Sequence, residues 1–452
     1  MAGNDWVLTS IGAETDLLTG FPFVSNRYVS DPTGIKLLRG DNVAQGDLRW
    51  DGAKYWSSDD LDELKQFYLQ DGDVILAMDR PWIEAGLKYA AVTQHDLPCL
   101  LVQRVARLRG TTSLDTRYLK YLIGSLPFVQ YVLAVQTGTA VPHISASQIK
   151  SFVFYRPLLS EQRAIACILG ALDDKIELNR RMNRTLDAMA RALFQSWFVD
   201  FDPVRAKVAG EQPAGLKPEL AALFPDRLVE SDLGEIPEGW EVVTLGNLGE
   251  LEKGLSYKGE GLSEEDGIPM VNLGCFAGQG VFIAEKVKRY IGEYRDRHIV
   301  HAGDLVIANT DVTQNRIILG SPAILPKFGK ESRYLFTHHV FAVRFFQEFE
   351  KWKYFVYFSL LKPEFREIAE GFATGTTVLA LPRDGLLKYP FCLPSVSVLQ
   401  VFERHIAQIR ALIDCNLCQS RTLAALRDTL LPKLISGELR VADAERIVGR
   451  CL

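Results

Sequence analysis

The sequence predicts an α+β fold, mixed α/β in character. It has two globular domains separated by a pair of long antiparallel helices, a coiled coil, and an internal pseudo-two-fold repeat. Two observations predict this. The stretch Glu161 to Phe198 sets apolar side chains at Ile165, Ile168, Leu172, Ile176, Met182, Leu186, Met189, Leu193 and Trp197. Those steps are threes and fours, the period of one helix face, apart from a gap that Asn179 fills in phase. The second observation is self-similarity. Thr137-Gly138-Thr139 recurs as Thr374-Gly375-Thr376, 237 residues further on. At the same offset Pro157 falls on Pro394, Ile176 on Ile413, Asn179 on Asn416, and Arg184-Thr185-Leu186 on Arg421-Thr422-Leu423. A gapless offset held over about 50 residues marks a tandem duplication. The partner of the first seam is therefore a second long helix, Phe402 to Ile435.

Each element follows from local signals. The first globular part, residues 1–156, holds Val74-Ile75-Leu76-Ala77 after Asp71-Gly72-Asp73, a buried strand entered through a tight turn. Leu100 to Val102 and Phe152 to Tyr155 read likewise, and Asp115 to Ser125 reads as helix. The first long helix occupies 157–201 and follows Pro157, with Ser160 as the expected N-cap. Five prolines between Asp202 and Gly239 mark 202–235 as a linker, with a short helix at Pro218 to Leu223. The second globular part, 236–394, repeats the first, with Leu305 to Ala308 and Val340 to Val343 as strands and a helix around Trp352 to Leu361. The second long helix, 395–440, begins at the expected cap Ser395, kinks or frays at Pro432 and stops by Gly437. Residues 441–452 read as a tail. About 38 helical residues span roughly 57 Å. Helix one leads out of the first domain and helix two out of the second, so the helices pair antiparallel with a domain at each end.

Composition narrows the chemistry. The 452 residues are 47% hydrophobic, enough for two or three cores, and the net charge is −5, so any phosphate-binding surface is a local patch. Seven scattered cysteines, an odd number, favour reduced thiols in a cytoplasmic protein. No apolar run reaches the ~18 residues of a membrane span. The sequence holds no Gly-x-x-x-x-Gly-Lys-Ser/Thr phosphate loop. Cys415 and Cys418 have metal spacing without a second pair, so packing is the better reading. His338-His339 reads as a surface or core pair before a catalytic base. Asp59, Asp60, Asp62 and Glu63 read as a solvated helix start. No catalytic set and no metal site emerge, which favours a recognition or scaffold protein over an enzyme.

With the repeat in view, the chain resembles the specificity subunit of type I restriction–modification enzymes over nearly its whole length. The resemblance is carried by Gln195-Ser-Trp-Phe-Val-Asp-Phe-Asp-Pro-Val204, by Leu233-Gly-Glu-Ile-Pro-Glu-Gly-Trp240, by Leu431-Pro-Lys-Leu-Ile-Ser-Gly-Glu-Leu439 and by the Thr-Gly-Thr junctions. It implies that 1–156 and 236–394 are target recognition domains. Each would read half of a bipartite double-stranded DNA site, with the helices setting the spacer. It implies docking of two methyltransferase (modification) subunits and of restriction/translocase subunits. It also implies that S-adenosylmethionine, ATP and magnesium sit on those partners and that this chain binds no cofactor.

Base readout needs Arg, Lys, Asn or Gln at groove depth, and phosphate contact needs Lys, Arg, Ser or Thr. The loop after Val74 offers Arg80 and Lys88. Its counterpart offers Asn309, Thr310, Thr313, Gln314, Asn315 and Arg316, either as base readers or as an ordinary polar loop. Arg27, Lys253 and Lys258 lie near Gly20 and Gly254, while Lys36 and Arg39 are phosphate contacts at best. The Thr-Gly-Thr segments read either as DNA-side turns or, preferably, as structural turns before the helix junctions. Lys175, Arg180, Arg181, Arg184 and Arg191 are expected to pair with acids of their own helix. Asn179 and Asn416 either fix helix register or face water beside the seam.

Overall fold

The computed structural model describes residues 6–29, 33–57, 62–138, 140–311, 316–327, 332–375 and 378–449. They form two compact units. One joins residues 1–177 to 420–452, and the other is continuous from Leu178 to Gln419. The division falls inside both long helices, α1 (Leu159–Phe198) and α2 (Val396–Ile435).

In the first unit, β1 (Thr15–Thr19), β2 (Val74–Ala77), β3 (Tyr89–Ala91) and β4 (Val105–Gly110) make an antiparallel sheet in the order β1-β4-β2-β3. All four side chains of β2 are buried, which is why its sequence is an unbroken apolar run. A second sheet places Ile35–Leu38 between Lys54–Trp56 and, in parallel, Cys99–Leu101. Val7–Ser10 pairs with Val153–Arg156, so the first strand is tied to the segment that leads into α1. Buried Ile165, Leu169 and Leu172 of α1 share a core with Leu423, Leu430 and Leu434 of α2.

The second unit repeats this plan. β5 (Gly249–Lys253), β6 (Leu305–Ala308), β7 (Pro322–Ile324) and β8 (Val340–Phe345) take the order β5-β8-β6-β7. Val105 of β4 faces Ala77, and Val340 of β8 faces Ala308, so the registers correspond. A five-stranded sheet again carries a parallel pair, Ile268–Val271 with Arg333–Phe336. Gly20 and Gly254 do the same work in the two units. A Cβ there would meet the carbonyl oxygen of Val102 at 2.2 Å or of Thr337 at 2.3 Å. Only glycine lets the backbones approach so closely. The α1 residues Phe194 and Trp197 pack on Phe402 of α2, while Asn179 meets Gln419, so the helices run antiparallel in this unit.

Several expectations are corrected. Leu158, not Ser160, accepts the first helical bond of α1, from the Gln162 amide. Ser395 does cap α2, and the repeat offset sets it opposite Leu158. The seam of α1 leaves its expected line after Asn179. Met182 and Met189 are exposed and Ala190 and Phe194 are buried instead, while Trp197 is buried as expected. A straight helix drifts off a strict heptad stripe, and the bulky aromatics capture the core. Pro432 lies within α2, which continues to Ile435 before Gly437 turns left-handed at φ 74°. The linker is structured: Asp202–Val208 and Pro218–Ala221 are helical, and Leu228–Ser231 pairs with Gly234–Pro237. The tail forms the helix Val441–Val448, whose Ala444 and Val448 enter the first core. Among the described residues no single helix is long and apolar enough to cross a membrane.

Candidate nucleic-acid interface

Three loops converge at one end of the first sheet, stitched together through main chain. The loop after β2 is held when the Met78 amide donates to the Arg104 carbonyl and the Arg80 amide donates to the Pro142 carbonyl. The turn before β4 is held when the Gln103 amide donates to Phe21. The Thr137–His143 turn closes on itself by reciprocal main-chain bonds around Gly138 at φ 94°. Cations gather where these loops meet. Arg104 lies 3.8 Å from Asp79, and Arg39 lies 2.9 Å from Asp41. Burial lowers the Lys88 ammonium from its usual range, Asp41 and Asp79 work against that, and Arg80 adds to it. Arg80, Lys88 and Arg104 therefore form one charged group, with Arg39 linked through Asp41. Next to it the hairpin Trp82–Ile83/Gly86–Leu87 exposes both Trp82 and Ile83.

The second unit builds the same junction from other side chains. The Asn309 amide donates to the His339 carbonyl, as Met78 does to Arg104. The Leu381 amide donates to Asn309, as Ile144 does to Met78. Thr374 and Ala380 close the matching turn. Asn309 thus occupies the place of a buried methionine, and this corrects its expected role. It is itself buried, and its side-chain amide donates to the His338 carbonyl at 3.0 Å. Thr310 is nearly buried too, 2.9 Å from the Nδ1 of His339. Both support the surface from beneath. The His338 and His339 rings lie 3.8 Å apart. Burial, then His338, then Lys253 lower the His339 imidazole from its ordinary range. The buried Asp311 carboxylate accepts from the Ile318 and Leu319 amides and clamps the base of the loop. Arg316 is exposed at φ 53°, its carbonyl gripped by Arg366. Thr313, Gln314 and Asn315 lie outside the described residues.

The comparisons with known proteins agree with this duplicated design. A family model, the type I restriction modification DNA specificity domain, matches residues 20–188. The chain is similar to the HindI specificity subunit of Haemophilus influenzae, 26% identical over 355 residues, 69% of this chain and 74% of that one. It is similar to the MjaIX specificity subunit of Methanocaldococcus jannaschii, 27% identical over 367 residues, 79% of this chain and 77% of that one. Its fold matches the S subunit of a type I restriction–modification system from M. genitalium, with a TM-score of 0.55, 16% identity, and 96% and 97% of the two chains covered. The chain is therefore similar to the type I specificity subunits in sequence, and to one of them in fold.

The remaining candidates are placed elsewhere. Lys36 donates to the carbonyls of His95 and Asp96 at 3.2 and 3.1 Å and lies over the Trp50 ring, so its ammonium is committed to the protein. Arg27 stacks on Trp56. Lys258 is exposed at the start of a short turn, Gly259–Gly261. On the helices, the Asn179 side chain is buried and donates to Gln419 at 2.9 Å and to the Asn416 carbonyl at 3.4 Å. Asn416 donates to Asn183 at 2.9 Å. Arg191 pairs with Asp187 on its own helix, as expected, whereas Asp173 turns outward from its helix to Lys120 and Arg427. Sequence reasoning missed Arg104 and the Trp82 hairpin, and read the His338–His339 pair, whose rings are tilted by 40°, as surface or core histidines. Aligning the two copies strand by strand, rather than at one fixed offset, would have set Gln103-Arg104 against His338-His339.

Proposed function

We propose that this chain is a specificity subunit and reads a bipartite double-stranded DNA target, one half-site per globular unit, with α1 and α2 fixing the spacer. The observation that carries this reading is the duplicated three-loop junction. The backbone plan is common to both units and the polar side chains on it differ, which suits an asymmetric target. The first junction gathers arginines and lysine, the residue types that meet phosphates and guanine edges. The second presents amide, hydroxyl and imidazole groups with Lys253 and Arg316 at its margin.

Docking of two methyltransferase subunits along the helices, with restriction and translocase subunits added to them, completes the proposal. It is supported by an exposed apolar stripe on α1, Leu178, Met182 and Met189, with Leu412 and Leu417 exposed on α2. Exposed apolar side chains grouped on one helix face mark an interaction surface. S-adenosylmethionine, ATP and magnesium belong to those partners in this reading. Methylome sequencing of cells carrying the chain with its modification partners tests it. Methylation at a single motif made of two short half-sites and a fixed spacer is expected, and methylation without a split motif overturns it.

A further inference from the structure

We infer that the turn entering β4, and its repeat entering β8, carries the base-discriminating side chain of each unit: the Arg104 guanidinium in the first and the His339 imidazole in the second. The inference rests on the half-site reading above and adds which atoms make the choice.

The two turns share their main-chain hydrogen bonds to the neighbouring strands and loops, although Arg104 alone of the matched pair is left-handed. Gly20 donates to Val105 and Gly254 donates to Val340. Phe21 donates to Leu101 and Leu255 donates to Phe336. Gln103 donates to Phe21 and His338 donates to Leu255. Met78 donates to Arg104 and Asn309 donates to His339. Four matched bonds place Arg104 and His339 at one structural position in two copies. The strands on either side are apolar in both copies, because the core constrains them. The turn is not so constrained, and there the copies diverge from a guanidinium fork to an imidazole ring.

Arg104 holds a backbone conformation that an arginine does not favour, φ 67°. A side chain with a Cβ is strained there. The guanidinium recovers little of that inside the unit. Its one ion pair is at 3.8 Å, and the side chain is 61% exposed. An outlier of this kind at a loop junction points to use by a partner. The chemistry available is specific, since an arginine fork pairs with O6 and N7 of guanine. In the second unit Thr310 engages Nδ1 of His339. That leaves Nε2 as the atom for a single hydrogen bond to a base edge. The Asn309 amide underneath fixes the His338 carbonyl and so the attitude of the ring pair.

The test uses the chain assembled with its modification subunits and duplexes carrying the mapped site with single base-pair changes. Arg104→Gly suits the left-handed backbone, so its melting temperature is expected to match or exceed that of the parent. It should lose about 5- to 150-fold of discrimination, the worth of one bidentate base contact, at one base pair of the first half-site only. His339→Phe keeps the ring contact and removes both nitrogens, and its loss should fall in the second half-site only. The salt dependence of binding should stay unchanged in both. A uniform loss over all duplexes with a salt slope lowered by about one marks phosphate contacts and overturns the inference. Unaltered discrimination at both half-sites overturns it as well. A parent complex with no sequence preference would instead overturn the half-site reading on which the inference stands.

Discussion

Asp173 shows how single side chains hold this molecule. Its carboxylate takes hydrogen bonds from Lys120 Nζ at 2.7 Å, the Tyr121 hydroxyl at 2.9 Å and Arg427 at 2.9 Å, joining α1, α2 and the first globular core. Burial opposes its ionisation, but the two cations outweigh burial and hold it below the usual carboxylate range. A carboxyl lowered on folding contributes stability above its unfolded value of about 4, and that stability is lost as pH falls through the folded value. Asp173→Asn is expected to cost about 3 kcal/mol at pH 7, the scale for breaking a largely buried pair. The gap from the parent should narrow below about pH 4, as urea melts would show. Glu403 runs the other way. Burial raises it to about 8, although it accepts from the Phe355 amide at 2.8 Å and from Tyr354. A carboxyl raised on folding contributes stability below its unfolded value and loses it as pH rises to the folded one. The melting temperature should therefore fall between about pH 4.5 and about pH 8, and Glu403→Gln should flatten that slope. A slope retained in the Gln variant would assign it to another group. At this scale the sequence was only half readable. Arg80 and Lys88 were found because they follow a clear strand, whereas Arg104 sits in a three-residue turn with no periodicity. Asn309 misled because its residue type suits base edges while its position is that of a buried methionine.

At the scale of elements, the long helices combine a dry seam with one wet layer. In the second unit Asn179, Asn183, Asn416 and Gln419 bond across the pair and interrupt the aliphatic stripe. A buried amide matched to a partner amide tolerates only one axial alignment, at some cost in stability. Asn179→Leu would strand the Gln419 oxygen and should cost about 1–3 kcal/mol. Adding Asn416→Leu should recover part of that loss while loosening the alignment. If the double variant melts as the parent does and its complex methylates the same spacer, the amides carry no register. The seam's existence was evident from its threes and fours, and the repeat supplied its partner. Its line beyond Asn179 was not evident. Met182 and Met189 keep the period, but Phe194 and Phe198 offer more apolar area and join the expected Trp197 on the inward face.

For the whole molecule, the duplication was the most informative feature of the sequence. It predicted two copies of one α+β plan, and the sheets carry the same strand order in both. Proline-rich and terminal segments were misjudged, because composition suggests a loop while buried side chains such as Phe201, Val204 and Phe224 decide otherwise. If the helices act as a ruler, inserting about four residues in each, near 6 Å of rise, should lengthen the methylated spacer by about two base pairs or abolish methylation. An unchanged spacer would show that the helices do not measure it. The division of the chain has a further consequence, for synthesis. The second unit is one continuous stretch, while the first draws on both Met1–Glu177 and the segment after Ser420. Leu423, Leu430, Leu434, Ala444 and Val448 complete the first core, and all of them leave the ribosome last. Domains generally fold in the order in which they emerge, but here the half made first must wait. Chains stalled on the ribosome with α2 emerged only as far as Gln419 should show a protease-resistant second unit beside a first unit that is still cleaved.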